Sequence, residues 1–146
     1  MKKLNIFLDS SALIAGVLSE GGASHALLLL GESEDIYLTI SEMVIIESER
    51  SIALKSPRTI PILRNSIVRS NLQIVRDPLP KEVKANLYLI SDPADVPILL
   101  AAMKAKVDFL VTHNRKHFLD DPKVAENSGL RIGTPGDALA WIREQI

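Results

Sequence analysis

The segment LNIFLDSS, residues 4–11, indicates how this chain folds. Its first five residues are mostly apolar, as in a strand that is buried on both faces. The Asp9-Ser10-Ser11 end is typical of the start of a helix, because short polar side chains accept hydrogen bonds from the first free amide groups. A buried strand that passes directly into a helix predicts an α/β fold.

The rest of the chain repeats this alternation of strands and helices. Strands alternating with helices predict a mostly parallel sheet covered on both faces, and the absence of repeats and linkers predicts one domain over residues 1–146. Strands are predicted at residues 4–8, 36–40, 72–75, 108–112 and 130–132. Helices are predicted at residues 12–18, at 24–30 with Gly31 closing the helix, from Ser41 to a break near Pro57, and at 59–70, 80–89, 92–103 and 135–146.

The composition excludes several classes of protein. The chain has 146 residues, of which 47% are hydrophobic and 24% charged, and it contains no cysteine. A disulfide framework and a thiolate metal site are therefore excluded, and the absence of cysteine fits a reducing cytoplasm. No uncharged apolar run reaches membrane-spanning length, and the run that begins at residue 4 is ended by Asp9, so we expect no membrane association.

The charge is small overall but unevenly distributed. A net charge of −1 argues against a protein that wraps nucleic acid by bulk positive charge. Residues 51–76, however, contain no acid and carry five basic residues, which form either a solvated pair of helices or a surface that contacts RNA or a partner. These residues are Lys55, Arg58, Arg64, Arg69 and Arg76.

Two acids in the first third of the chain are candidates for chemistry. Asp9 either caps the following helix or stays free, since Ser10 or Ser11 would serve equally well as the cap. Glu47 shares a helix stripe with Met43 and Val44, which places its carboxylate at the edge of a buried face. Such a carboxylate needs a cation or hydrogen bonds, and Arg50 is the alternative partner.

A second group of polar residues follows later. Asp92 suits a helix N-cap before a proline, and Asp95 suits the dipole of the same helix, so both have a structural explanation beside a functional one. His113 and His117 are four residues apart, but no third ligand with zinc spacing is visible. Asn114 either makes a turn or supplies a carbonyl near a metal ion.

These polar residues indicate one chemistry when they are taken together. In parallel sheets, functional groups collect beyond the carboxyl ends of the strands, which is where several of them are predicted to lie. Oxygen ligands without thiolates favour Mg²⁺ or Mn²⁺. Such an ion neutralises phosphate and activates water for attack on a phosphodiester.

The chain resembles the PIN-domain nucleases, the family that includes the VapC-type toxins. The resemblance rests on the order and spacing of several segments that cover nearly the whole chain. They are LDSSAL at 8–13, SEMVIIE at 41–47, DPADVPILLAA at 92–102, LVTHNRKHF at 110–118 and TPGD at 134–137.

The resemblance implies a three-layer α/β/α sandwich and a ribonuclease that depends on Mg²⁺ or Mn²⁺. Asp9, Glu47 and Asp95 would be the metal-binding and catalytic acids. Ser10 and Thr112 would support them. An RNA substrate, an antitoxin partner and a homodimer are also implied.

One position departs from the family pattern. Many members carry a further aspartate where this chain has Asn114, and a neutral amide adds no charge to a second metal site. Asp92 is the residue that would compensate.

Two alternatives stay open. The first is a PIN domain that binds RNA or a protein with little cleavage, which the Asn114 departure favours. The second is a phosphotransfer or phosphatase domain, which also places acids beyond parallel strands. A phosphatase of that kind needs an aspartate two residues after the first, where this chain has Ser11.

Overall fold

The centre of the molecule is a parallel sheet of five strands. The computed structural model describes residues 2–146, and in this part of the chain the strand order is β3-β2-β1-β4-β5. All neighbouring strands are parallel. The strands are β1 (Asn5–Leu8), β2 (Tyr37–Ser41), β3 (Gln73–Val75), β4 (Phe109–Val111) and β5 (Ile132–Gly133).

Helices cover both faces of this sheet, which confirms the predicted α/β/α sandwich. They are α1 (Ser10–Leu18), α2 (Ala23–Glu32), α3 (Glu42–Lys55), α4 (Ile60–Arg69), α5 (Pro80–Ala85), α6 (Val96–Lys104), α7 (Pro122–Ser128) and α8 (Pro135–Gln145). Helix α1 packs against α2 and α3, and α6 packs against α5 and α7. Single 3-10 turns occur at Pro57–Thr59, Leu87–Leu89 and Pro93–Asp95, and a π turn occurs at Arg115–Leu119.

The central strand β1 explains the mostly apolar segment at residues 4–8. Ile6, Phe7 and Leu8 are all fully buried, although successive side chains point to opposite faces of the sheet. A strand between two parallel neighbours and two helical layers has no solvated face, so it lacks the alternation of polar residues. The apolar core is therefore built outward from β1.

The strand order places the carboxyl ends of β1 and β4 next to each other, where the direction of the chain across the sheet reverses. From β1 the chain moves outward through β2 to β3, and it then crosses back to β4 on the other side of β1. The carboxyl ends of β1 and β4 thus form the switch point of the sheet, where parallel α/β folds bind ligands. Asp9 follows β1 directly, and Thr112 follows β4.

The prediction that Gly31 closes its helix was wrong. Helix α2 continues through Gly31 to Glu32. A Cβ at this position would lie 2.6 Å from the carbonyl oxygen of Ser70 and 2.5 Å from Cδ1 of Leu38. Glycine is required there by close packing against its neighbours and not by a helix end.

Other element bounds also differ from the predictions. The helix predicted over residues 80–89 ends at Ala85 and is followed by a separate 3-10 turn. The helix predicted from Asp92 begins with the turn Pro93–Asp95, and only then becomes α6. All five predicted strands are present, and their observed ends differ from the predicted ends by at most two residues. This is the usual uncertainty of an element boundary.

Helix α7 was not predicted. Its sequence is mostly polar and Val124 is its only buried residue, so no apolar stripe marks it. Three local signals were nevertheless present. Asp121 caps the helix, Pro122 occupies its first position, and Gly129 ends it with a φ of 70°.

No single helix within residues 2–146 is both long and apolar enough to cross a membrane. By length and composition only, α1 and α2 would be long enough together, but they are bent by 88° relative to each other.

Candidate active site

Asp9 lies at the end of β1 and is only 5% exposed. Its Oδ1 accepts hydrogen bonds from the Ala12 amide at 2.9 Å and from the Ser11 hydroxyl at 2.7 Å. Asp9 is thus the N-cap of α1, which is the first of the two alternatives, and neither Ser10 nor Ser11 replaces it as the cap. Its other oxygen, Oδ2, faces Thr112 and not the helix.

Two hydroxyl groups connect Asp9 to the loop after β4. Thr112 is fully buried, donates its hydroxyl to Oδ2 of Asp9, and accepts a hydrogen bond from the Asn114 amide at 2.9 Å. Ser11 accepts one from the His113 amide at 3.0 Å while it donates to Asp9. Thr112 was predicted as a supporting hydroxyl, whereas Ser11 was considered only as a cap. These bonds hold the Asp9 carboxylate in one orientation.

Glu47 lies on α3 and is half-buried, as its position in the helix stripe predicted. The hydroxyl of Ser10 donates to its Oε1 at 3.1 Å. Within the described residues Glu47 forms no ion pair, so the alternative pairing with Arg50 does not occur. Arg50 instead lies exposed on the wall of the same cleft.

Asp95 and Asp92 lie around the short turn that precedes α6. Oδ1 of Asp92 accepts from the Ala94 amide at 3.0 Å, which confirms the predicted cap. Nδ1 of His117 lies 3.0 Å from Oδ2 of Asp95 and 3.5 Å from Oδ2 of Asp92. This contact of His117 was not predicted, because the only sequence signal at this position is its four-residue spacing from His113.

His117 is held in place by the π turn that contains it. The side-chain oxygen of Asn114 accepts a hydrogen bond from the His117 amide at 3.1 Å, and Phe118 is buried in the core beside it. Asn114 thus caps this turn, in agreement with the turn-forming alternative. It also lies on the wall of the cleft.

The three predicted acids share one cleft. A cavity of about 380 Å³ is lined by Asp9, Glu47 and Asp95, with Arg50 and Asn114 also on its wall. These residues come from the end of β1, from α3, from the turn before α6 and from the loop after β4. The tertiary structure therefore brings together side chains that are far apart in the chain.

Burial and mutual repulsion disfavour the charged form of these carboxyls. Burial raises the pKa of Asp9, and hydrogen bonds from Thr112 and Ser11 partly oppose this effect. Burial raises the pKa of Glu47, and the nearby carboxylates of Asp95 and Asp9 raise it further. Burial and the charge of Asp92 raise the pKa of Asp95. A cation that neutralises the ionised carboxylates would therefore be favourable.

The donor set fits a hard divalent cation. Within residues 2–146, one group of three potential ligand side chains, Asp92, Asp95 and His117, has its ligand atoms within 4.8 Å of one another. Asp9 and Glu47 lie outside this group. The ligand atoms of the three predicted acids, Asp9, Glu47 and Asp95, are therefore spread more widely than those of the group. Because Mg²⁺ keeps several of its waters in proteins, a wide oxygen site suits it.

The four basic residues predicted as possible RNA or partner contacts lie outside this cleft. Arg64 pairs with Glu49, and Arg69 pairs with Glu32, each at 3.1 Å. Both pairs are exposed, so they contribute little to stability. Lys55 and Arg58 form no ion pair with any other described residue. Their contact with RNA or a partner stays a prediction.

The parallel sheet and the carboxylate cleft at its switch point define a class of α/β proteins that bind ligands beyond the strand ends. Within that class, a family model described as "PIN domain" matches residues 5–116. The chain therefore belongs to the PIN domain family, as the resemblance predicted. The match includes all three predicted acids.

Solved structures support the same fold. PAE2754 from Pyrobaculum aerophilum is similar with a TM-score of 0.65 and 16% identity, over 97% of this chain and 90% of that chain. VapBC2 from Rickettsia felis, solved bound to a DNA fragment from its promoter, is similar with a TM-score of 0.64 and 19% identity, over 90% of this chain and 98% of that chain. A search of curated protein sequences gave no significant match.

Proposed function

We propose that this protein is a divalent-metal-dependent endoribonuclease, in which Asp9, Glu47 and Asp95 bind the metal ion. The observation that carries the proposal is their arrangement at one cleft at the switch point of the sheet. Burial raises the pKa of each of them, and repulsion by neighbouring carboxylates raises the pKa of Glu47 and of Asp95 further. A cation between them would relieve both costs.

The chain's own residues would prepare the site before substrate binds. Thr112 and Ser11 fix the orientation of Asp9, and the Ser10 hydroxyl fixes one oxygen of Glu47. Pre-oriented ligands lose little conformational freedom when a metal ion or substrate binds. A bound Mg²⁺ or Mn²⁺ would neutralise the phosphate and lower the pKa of an attacking water.

Arg50 is our candidate for substrate contact. It lies one turn beyond Glu47 on α3, is exposed, and lines the cleft. A guanidinium group at the edge of an acidic cleft attracts the phosphates that the carboxylates would repel. Arg50 would therefore help to position the RNA backbone.

We further propose that the protein is the toxin component of a toxin–antitoxin pair and acts in the cytoplasm. The similarity to VapBC2 supports an antitoxin partner. A short neighbouring reading frame that encodes a DNA-binding protein, and co-purification of its product, would test this role. Light scattering would test the predicted homodimer. Residues 1–146 would act as one domain, because all five strands lie in a single sheet.

A PIN domain that binds RNA or a protein with little cleavage is the second candidate. The observation that favours it is Asn114, whose amide adds no negative charge to the cleft and already caps the π turn. The family match gives no comparable support to the phosphotransfer alternative.

Cleavage of labelled single-stranded RNA tests the proposal. We expect the wild type to cut RNA with Mn²⁺ or Mg²⁺ and to stop when EDTA is added. Asp9→Asn keeps an oxygen acceptor for the Ala12 amide, and we expect it to be at least 100-fold slower. Asp120→Asn, a change of an exposed acid, is the matched control. Equal cleavage in EDTA would contradict the proposal, and RNA binding without cutting would support the second candidate.

A further inference from the structure

A second cavity lies beside the carboxylate cleft, and both α1 and the loop after β4 line the two of them. Its volume is about 380 Å³, and its wall includes the first residues of α2 and of α8, so we call it the α2–α8 cavity. The His113 amide donates to the Ser11 hydroxyl at 3.0 Å, with His113 lining the α2–α8 cavity and Ser11 lining the cleft. The two cavities are therefore neighbours.

The beginning of α2 leaves three amide groups free at this cavity. Gly22 is the N-cap of the helix and has no side chain that could accept from them. Within residues 2–146, no carbonyl or side chain accepts a hydrogen bond from the amides of Ala23, Ser24 or His25. Free amides at the positive end of a helix dipole favour the binding of an anion.

The side chain of Ser24 is an independent sign of a ligand. Ser24 lines the cavity and is only 3% exposed, and its hydroxyl has no hydrogen-bond partner in the described part of the chain. A buried hydroxyl without a partner costs free energy, which an acceptor in the cavity would recover. The hydroxyl and the free amides can all donate, so the ligand that suits them is an acceptor.

The charge of the α2–α8 cavity differs from that of the cleft. None of the described residues that line it is acidic, and the exposed His113 is their one ionisable side chain. Asp137, in the first turn of α8, uses its Oδ2 to accept from the Thr134 amide and does not line the cavity. A phosphate group has negative charge and several acceptor oxygens, and it fits this set of donors.

We propose that the α2–α8 cavity binds a phosphate group of the RNA backbone, next to the phosphate that is cleaved. The choice of RNA rests on the proposed function, because a strand held at the cleft would carry its neighbouring phosphates past Ser11 and His113. Phosphate contacts position a nucleic acid and do not read its sequence. The cavity would therefore fix the register of the strand relative to Asp9, Glu47 and Asp95.

The first test is a titration of the metal-free, full-length protein with inorganic phosphate, followed by the ¹⁵N–¹H NMR signals of its amides. We expect saturable shifts at Ala23, Ser24 and His25. Ser24→Ala removes a donor to a charged group, so it should bind phosphate about tenfold more weakly. Ser48→Ala is the matched control and should bind as the wild type does, because Ser48 is also buried with an unpartnered hydroxyl but lies outside the cavity.

Gly22→Asp blocks the same site from within the protein. Its carboxylate would accept from the free amides, as Asp9 does at α1, and would repel an anion. The atom nearest to a Cβ at this position is Oγ of the exposed Ser19 at 3.3 Å, so we expect the variant to fold. The phosphate shifts should disappear in Gly22→Asp and persist in Gly21→Asp, which adds the same charge in open space.

Two results of this titration would overturn the proposal. One is the absence of saturable shifts in the wild type. The other is phosphate affinity in Ser24→Ala and Gly22→Asp equal to that of the wild type.

Binding of single-stranded RNA identifies the source of the phosphate. It is measured by fluorescence anisotropy in an Asp9→Asn background, so that no RNA is cut. We expect Gly22→Asp to weaken RNA binding about threefold more than Gly21→Asp does. Equal RNA affinity in these two variants would overturn the assignment to RNA and identify a site for free phosphate.

The outcome is separable from that of the cleavage assay. Phosphate binding at α2 without RNA cleavage would leave the phosphate site standing and refute the ribonuclease. RNA cleavage without phosphate shifts at α2 would leave the ribonuclease standing and refute the phosphate site.

Discussion

The hydroxyl of Thr112 donates a hydrogen bond to the buried carboxylate of Asp9, and so joins the ends of β4 and β1. These residues are 103 positions apart in the chain. The same threonine oxygen accepts from the Asn114 amide at 2.9 Å. One side chain therefore orients the most buried acid of the site and shapes the loop that carries His117.

Thr112→Val tests this contact. The variant removes a hydrogen bond from a buried carboxylate and an acceptor from the Asn114 amide, so we expect a loss of about 1–3 kcal/mol in the free energy of unfolding. The pKa of Asp9 should rise further, because the Thr112 hydrogen bond lowers it. Urea unfolding measures the first effect. Thr112→Ser, which keeps the hydroxyl, should stay close to the wild type, and equal losses in both variants would refute the role of this bond.

Glu47→Gln tests the electrostatic cost of the metal-free cleft. Because the pKa of Glu47 is raised in the folded protein, the folded state holds more protons than the unfolded chain between the two pKa values, and stability falls as the pH rises through this window. Above the window the full cost is present. The variant keeps an oxygen acceptor for Ser10, so we expect a higher melting temperature than the wild type at pH 7.

The chain length sets how far a given change in the free energy of unfolding shifts the melting temperature. Each 1 kcal/mol that is relieved should raise the melting temperature of metal-free protein by about 2–4 °C. The difference should vanish near pH 3, where Glu47 is protonated in both states. Mn²⁺ should then stabilise the wild type more than the variant. A variant that melts lower than the wild type at pH 7 would show that repulsion is not the dominant effect, and Glu126→Gln controls for the change of net charge.

Arg50→Gln tests the proposed contact with the RNA backbone. Binding is measured by fluorescence anisotropy in an Asp9→Asn background, so that no RNA is cut. If Arg50 contacts one phosphate, the slope of log affinity against log salt should fall in magnitude by about 0.7. Arg64→Gln removes an equal charge from an arginine paired with Glu49, outside the cleft. The same change in both variants would mean that only net charge matters.

Gly31→Ala tests the packing of α2. The added methyl group would meet the Ser70 carbonyl oxygen and the Leu38 side chain at under 3 Å, so we expect a loss of about 1–3 kcal/mol. Differential scanning calorimetry measures it. At Gly21 a Cβ would have no neighbour within 4 Å, so Gly21→Ala is the control and should change little.

The local features of this fold could be read from the sequence. The apolar segment at residues 4–8 predicted the central strand, Ser41 was predicted as the start of the third helix, and Asp92 was recognised as a cap from its own side chain and the proline after it. Helix α7 was missed because its only buried residue is Val124, although its cap, proline and terminal glycine were visible. Local signals of this kind depend on backbone geometry within a few residues.

The sequence by itself determined which residues follow strands and open helices, and therefore which acids were candidates. The tertiary structure alone decided that Asp9 both caps α1 and meets Thr112, and that His117 meets Asp95 instead of His113. The physical reason is that a helix cap and the apolar pattern of a strand are set by residues adjacent in the chain. The contacts of Asp9 with Thr112 and of His117 with Asp95 join residues that only the tertiary structure brings together. Only the crossing of the chain from β3 back to β4 places the two strand ends side by side.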